Sequence, residues 1–304
     1  MRTLRKRLKN LSIEEMFAAT SVSNGGIIEL ELGDKCKKCG GEFYEQDHDT
    51  LDTWFSSGMW TFSTLGWPKS TEDLKTFHPN SFMSPGYEIL FLWVARMILM
   101  SGGLLGQVPF RKVLIHGIVR DSKGQKFSKS MGNGIDPLEL ADKYGADALR
   151  MALIVGASPG NDVTFDEQKV KGYRNFSTKL WNIARFIIIN RPQNVGGLNF
   201  VHRPEIQKLE ALKGEITNHI ENFEFHLAAE KLYHYIWHEL ADKIVENEKN
   251  NLRDGTAEQK SESYLLLRTL LELSLKLLHP FMPFVTEEIY VKIEPGKMLM
   301  VEKW

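Results

Sequence analysis

The apolar residues of this chain change their spacing once, near Asp162, and that change restricts the possible folds more than any other feature. Before it, short strand-like runs (Ser81 to Met83 and Val113 to Gly117) alternate with a helical pattern from Glu88 to Met100, as in an α/β layer. After it, the period is helical throughout. Lys169 to Ile189 carries Val170, Tyr173, Leu180, Trp181, Ala184 and Ile188 on one side, and Ile216 to Val245 carries Ile220, Phe223, Leu227, Leu232, Ile236, Leu240 and Ile244. Thr256-x-x-Gln259 is a capping-box pattern that opens a third long helix through Leu278, stopped by Pro280 and Pro283. Apolar residues surround that helix on most sides, so it is predicted to be the central one of a bundle. The fold class is therefore α/β followed by all-α, and 304 residues are enough for both cores.

Finer divisions follow from local signals. Residues 1–50 read as an N-terminal arm and a small ribbon, with apolar alternation at Ile27 to Leu32, then Cys36-x-x-Cys39, Gly40-Gly41 and Phe43-Tyr44. Residues 51–160 form the α/β segment, which includes a helix predicted over Pro137 to Lys143, capped by Asp136 with Pro137 at the tolerated first position. Residues 161–304 form the helical part, in which Pro192 to Pro204, with Gly196-Gly197, is the predicted connection.

Charge and cysteine usage narrow the function classes. A formal net charge of -1 supplies no overall basic field, so contact with nucleic acid would come from local patches or stacking surfaces. No apolar run is expected to reach the ~18 residues of a bilayer span, because Arg96 and Asn190 break the longest ones, and no membrane partner is predicted. The two cysteines, Cys36 and Cys39, suit a zinc knuckle better than a disulfide, which points to a reducing compartment and a cytoplasmic location. They supply half of a tetrahedral Zn2+ set, with His48 or Asp47 as weak further candidates. The basic segment Met1 to Asn10 reads as a solvated helix, with an organelle transit segment as the other reading.

Lys126-Phe127-Ser128-Lys129-Ser130, preceded by Gly124 and followed by Met131-Gly132-Asn133, carries the most chemistry. Two lysines and two serines flanked by glycines make a cationic loop suited to polyphosphate, although a plain solvated loop has the same composition. Its context favours the first reading. Lys112 to Asp121 reads as a buried strand running into the loop, and ligands in open α/β sheets sit at the carboxyl ends of strands.

That loop resembles the second signature of the class I aminoacyl-tRNA synthetases, Lys-Met-Ser-Lys-Ser, with Phe127 in place of Met. Leu51-Asp52-Thr53-Trp54-Phe55-Ser56-Ser57-Gly58, Phe62 to Pro68, and Gly86-Tyr87-Glu88-Ile89-Leu90-Phe91-Leu92-Trp93 through Met97 narrow the resemblance to the valyl branch. Arg174-Asn175-Phe176 to Phe186 and His279-Pro280-Phe281-Met282-Pro283 to Ile289 resemble the anticodon-binding domain of the same family. The resemblance covers most of Asp47 to Trp304. It implies the C-terminal half of a class I Rossmann-like catalytic domain followed by an α-helical anticodon-binding bundle.

The resemblance also implies roles. Lys126 and Lys129 would be catalytic, acting with Ser128 and Ser130 on the phosphates of ATP, which is used with Mg2+. Trp54, Ile89 and Trp93 would line the pocket for valine, although residues at such spacing usually belong to a core. Gly86 and Glu88 would approach the ATP ribose, with Glu88 standing where Asp is commoner; a helix N-terminal carboxylate favoured by the macrodipole is the bland alternative. His116 and Gly117 would lie near adenine. The partners implied are valine and tRNA(Val). The sequence has no His-x-Gly-His signature and no editing domain, so the rest of the site is expected from a missing N-terminal half, either a complementary N-terminal synthetase chain or the upstream part of a longer gene. The other reading is a non-catalytic tRNA-binding module.

Overall fold

A computed structural model describes residues 49–128, 132–193, 195 and 203–304. The arm and ribbon, with Cys36 and Cys39, lie outside these residues, as do Lys129, Ser130 and most of the connection from Pro192 to Pro204. The chain forms two compact units, Met1–Ile115 and His116–Trp304.

In the first unit, Asp52 caps α1 (Thr53–Ser63) by accepting from the Trp54 amide at 2.7 Å, and Thr71 caps α2 (Glu72–Phe77). The strand-like runs then meet. Asn80 bridges Phe110 and Met83 bridges Val113, both in parallel, with the Met83 amide donating to the Lys112 carbonyl at 3.0 Å and the Leu114 amide to the Met83 carbonyl at 2.8 Å. These are isolated bridges, where the sequence predicted longer strands. A parallel pair requires a crossover connection, and the helical stretch Tyr87–Leu105 supplies it.

The crossover is not the regular helix predicted from Glu88 to Met100. It starts as a 3-10 turn (Tyr87–Ile89), widens into a π-turn (Leu90–Val94), and becomes regular only in α3 (Ala95–Leu105), which Gly106 ends with φ of 67°. Two tertiary demands meet here: Trp93 Nε1 donates to the Ser57 carbonyl at 3.0 Å, and Val94 and Met97 enter the core. Apolar spacing reports burial but not the altered winding of a wide turn. The 19-residue stretch is long and apolar enough, by length and composition, to cross a membrane, which corrects the expectation that no run reaches that length. Arg96 lies within it, with its guanidinium over the Trp54 ring, 5.4 Å from the centroid.

Among the described residues, the core of this unit is small. Val94, Met97 and Phe110 are buried with Met83, Leu90 and Trp93 packed around them, and Phe62 lies edge-on to Trp67 and His78.

The second unit begins with a parallel two-stranded sheet, β1 (Val119–Arg120) and β2 (Val163–Thr164), with Val119 opposite Val163. Between the strands lie α4 (Pro137–Tyr144), with the predicted Asp136 cap bonding the Leu138 amide at 2.8 Å, and α5 (Ala146–Ile154). The predicted helix after Asp162 is α6 (Glu167–Ile189), which buries Val170, Phe176, Leu180, Ile183, Ala184 and Ile187. Tyr173, Trp181 and Ile188 are only partly buried.

The single helix predicted over Ile216 to Val245 is two. α7 (Pro204–Glu221) ends, Phe223 adopts φ of 60°, and the Glu224 amide donates to the His219 carbonyl at 2.8 Å as the chain turns into α8 (Phe225–His234). The apolar spacing continues across this break because α7 and α8 pack on each other and both face one core, which hides the reversal from a periodicity reading. A π-helical segment (Tyr235–Val245) prolongs α8 into α9 (Glu246–Asp254). α10 (Ala257–Leu278) carries the predicted capping box and is the central helix, with Leu266, Leu267, Leu270, Leu271, Leu275 and Leu278 buried. Pro283, read as a stop, is also the first residue of α11 (Pro283–Ile293). The buried carboxylate of Asp147 on α5 accepts from the Phe284 and Val285 amides at 3.3 and 2.7 Å, tying the N-terminus of α11 to the α/β-derived part of this unit.

Candidate functional site

Among the described residues, the first unit carries five of those singled out in the sequence, Trp54, Gly86, Glu88, Ile89 and Trp93. Gly86 is buried and extended, and its carbonyl accepts from the Ile89 amide at 3.3 Å, so it opens the 3-10 turn that presents the exposed Glu88. Ile89 sits at φ -103° and ψ 13°, in the sparsely populated bridge region where active-site residues recur. Directly after it comes the π-turn, a feature frequent at functional sites. Trp93, fixed by its bond to Ser57, lines a shallow cavity of about 350 Å³ with Ser56, Ser57, Trp60, Ser63 and Thr64. Trp54 and Ile89 are not part of that lining: Trp54 is under Arg96 at the start of α1. The structure therefore brings one of the three expected pocket residues to this cavity. Ser57 and Trp60, to which the sequence reading gave no site role, line it as well.

In the second unit, His116 is exposed with Nδ1 2.8 Å from the Gly117 carbonyl oxygen. Gly117 is required by packing, since a Cβ there would lie 1.8 Å from the Asn161 carbonyl oxygen. Next to it Asp162 accepts from the Ile118 amide at 2.8 Å and pairs with Arg120, which locks β1 to β2. The chain then turns sharply. The Gly124 amide donates to the Asp121 carbonyl at 2.9 Å with Gly124 at φ of 76°, and Lys126 returns to bridge Arg120 in antiparallel fashion. Lys126 thus emerges beside the carboxyl end of β1, exposed at the start of the cationic loop. Phe127 points the other way and packs edge-on to Phe165 at 6.4 Å, against Leu140, Ala148 and Val170, so the usual apolar position of the motif anchors the loop.

Two residues missed in the sequence hold this loop, Asp121 and Asn133. Asn133 foremost, with the Gln125 and Lys123 amides, keeps the Asp121 carboxyl below its ordinary value by hydrogen bonding. The Asp-Ser-Lys-Gly run at Asp121 to Gly124, a turn-forming composition, was the available signal.

Residues 6–166, more than half of the chain, match the family described as tRNA synthetases class I (I, L, M and V). The chain belongs to the class I tRNA synthetases. Residues 206–304 match the anticodon-binding domain of tRNA ligases, which agrees with the helical half of this synthetase chain. The valine–tRNA ligase of Clostridium tetani is 46% identical over 286 residues, covering 91% of this chain and 32% of the relative. That of Thermotoga maritima is 42% identical, covering 89% and 32%. The chain thus spans about a third of the length of the curated relatives it matches. Among solved structures, the ternary complex of LeuRS, tRNA and LeuAMS from Agrobacterium radiobacter K84 superposes with a TM-score of 0.65 at 21% identity, covering 90% of this chain and 35% of that one. Mycobacterium tuberculosis methionyl-tRNA synthetase with methionyl-adenylate does so with a TM-score of 0.65 at 21% identity, covering 78% and 49%. These likenesses establish the fold, α/β followed by a helical part, as the change of period near Asp162 predicted.

Proposed function

We propose that these 304 residues are the polyphosphate-binding and tRNA-binding part of a valine–tRNA ligase, which activates valine with ATP and transfers it to tRNA(Val). The observation that carries this reading is the exposed Lys126 beside the carboxyl end of β1, in a loop anchored by Phe127, within a chain 42 to 46% identical to valine–tRNA ligases. In the reaction, a carboxylate oxygen of valine attacks the α-phosphorus of ATP, the bond from that phosphorus to the bridging oxygen breaks, and valyl-adenylate and pyrophosphate form. A hydroxyl of the terminal ribose of the tRNA then takes the valyl group and AMP leaves. No enzyme nucleophile is needed, so catalysis is positioning and charge stabilisation. Lys126 and Lys129, with Ser128 and Ser130, bear the growing charge of pyrophosphate, and Mg2+ accompanies the nucleotide.

Gly86 leaves room for the ribose and Glu88 accepts its hydroxyls. His116 and Gly117 border the adenine, and Trp54, Ile89 and Trp93 contact the valine side chain. The helical residues 161–304 take the anticodon stem. Cys36 and Cys39 contribute two thiolates to a Zn2+ site, and the location is cytoplasmic. The His-x-Gly-His segment comes from polypeptide outside these 304 residues, upstream in a longer chain or in a second one.

The test is valine-dependent exchange of pyrophosphate into ATP, with this chain combined with a segment that carries His-x-Gly-His. Lys126→Ala or Lys129→Ala should lower the exchange rate on the order of 100-fold to 1000-fold, as removal of one preorganised charge-stabilising donor does. Exchange that survives Lys129→Ala at the parent rate refutes the assignment. Binding of tRNA(Val) with no exchange in any combination favours the non-catalytic tRNA-binding module instead.

A further inference from the structure

The loop that carries Lys126 is closed at its base by two side chains, each of which makes several bonds. Asp121 Oδ1 accepts from the backbone amides of Lys123 and Gln125 at 2.9 and 2.8 Å, which shapes the turn before the loop. Asp121 Oδ2 accepts from Asn133 Nδ2 at 3.0 Å. Asn133 stands on the far side of the loop and reaches back across it: Oδ1 accepts from the Ser128 amide at 2.9 Å, and Nδ2 also donates to the Lys126 carbonyl at 3.3 Å. The bonds from Asn133 therefore fall on the residues either side of Phe127, whose ring is held by Phe165. Polar bonds hold the backbones of Lys126 and Ser128, and apolar packing holds the residue between them.

A turn needs only Asp121 and its two amide partners. Asn133 adds nothing to that turn; its bonds span the loop. Electrostatic stabilisation works through groups that are in place before charge develops, because donors that must first reorganise lose most of their benefit. We infer that Asp121 and Asn133 are a matched acceptor and donor pair that positions the backbone of Lys126 and Ser128, so that these two residues are in place when polyphosphate binds. This inference rests on reading the loop as the polyphosphate holder.

The donor and acceptor pattern makes the pair separable from simple loss of structure. In Asn133→Asp, two carboxylates face each other and the contact is repelled. In Asp121→Asn, the amide group of residue 121 meets the Asn133 amide group donor to donor, and turning Asn133 over to relieve this places a donor against the Ser128 amide. The double change Asp121→Asn with Asn133→Asp restores the match between the two side chains and the bond to the Ser128 amide, while the longer bond to the Lys126 carbonyl stays lost. The new amide oxygen at 121 still accepts from Lys123 and Gln125, its NH2 donates to one carboxylate oxygen at 133, and the other oxygen accepts from the Ser128 amide. Net charge is unchanged.

The experiment uses the full 304-residue chain, isotopically labelled, with two readouts: hydrogen exchange at the Ser128 amide and the affinity for inorganic tripolyphosphate followed through the Lys126 and Ser128 resonances. Each single change should speed Ser128 exchange and weaken tripolyphosphate binding about tenfold, the effect of losing a hydrogen bond to a charged group, and the double change should recover Ser128 exchange in full and tripolyphosphate binding in part. Singles that leave either readout at the parent value overturn the inference, as does a double change that recovers neither. Lys126→Ala separates the two levels. If it binds tripolyphosphate as tightly as the parent chain, the polyphosphate reading itself fails; if it abolishes binding while the pair variants do not weaken it, only the positioning role fails.

Discussion

Residues 49–115 and 116–304 are both rich in apolar side chains but bury them to different degrees. In the first unit, Phe91 is 83% exposed and Leu99 69% exposed on the crossover helix, and the buried core is little more than Phe62, Val94, Met97 and Phe110. In the second, α10 is covered on nearly every side, and Leu266, Leu267, Leu270 and Leu271 are buried in one continuous core with α6, α7, α8 and α11. A helix that is apolar all round belongs in a protein interior. α10 has such an interior, whereas the crossover helix presents a broad apolar face of the kind that marks an interaction surface. The helical unit is therefore self-sufficient in its core. Among its described residues the first unit leaves a broad apolar face uncovered, in a chain that spans about a third of the length of its relatives.

The sharpest way to break this comparison is a pair of truncations. Leu270→Ala should destabilise the second unit by about 2–5 kcal/mol, as buried leucine truncations do, whereas Leu99→Ala should change the first by less than about 0.5 kcal/mol. Hydrogen exchange read separately in α10 and α3 checks this, and equal costs would mean that the exposed face is not a face at all. Two glycines give the next contrast. Gly117→Ala forces a Cβ onto the Asn161 carbonyl and should cost about 1–3 kcal/mol, seen as faster exchange of the Val163 amide that bonds Ile118. Gly103→Ala on α3, where nothing lies within 4 Å, should instead stabilise its helix by roughly 0.5–1 kcal/mol.

Polar contacts within the second unit are expected to matter less. Asp147→Ala leaves the start of α11 without its cap and should cost about 1–2 kcal/mol. Burial raises the Asp147 carboxyl above its ordinary value of 3.8. The folded state thus keeps that proton longer, and the stability this group adds is complete below 3.8 and is lost as pH rises through the raised value. Thermal melts from acid toward neutral pH should show that decline in the parent chain relative to Asp147→Asn. Glu239 runs the opposite way. Hydrogen bonds from Lys208, then Lys243, hold it down at about 2, so its contribution is present above the ordinary 4.5 and fades as pH falls toward about 2. It is partly exposed and its ion pairs are screened by solvent, so Glu239→Gln should cost no more than about 0.5 kcal/mol at neutral pH, among the smallest effects of the series.

Local signals were readable where the cause is local. The Asp136 cap of α4 and the Thr256 and Gln259 box of α10 occur where predicted, because each bonds an amide within three residues. The reversal at Phe223 was not readable, since a residue at φ of 60° there lacks the glycine that usually marks such a position, and the apolar spacing on both sides points into one core. At the candidate site, the composition of the loop at Lys126 marked it out, and Phe127 proved to be its apolar anchor. Asp121 and Asn133 were given no role because their importance comes from a contact across 12 positions of sequence, which neither residue type announces alone.

By itself, the sequence determined the order of an α/β segment and a helical bundle, the central place of α10, and the position of the cationic loop after a strand. These depend on the period of apolar residues and on short-range capping, both properties of neighbouring residues. Only the tertiary structure decided that the crossover helix widens into a π-turn at Leu90–Val94, that Gly117 is demanded by Asn161, and that Asn133 closes the loop base. Each of those arises where distant segments compete for the same space or the same hydrogen bond, and such competition exists only once the chain is folded.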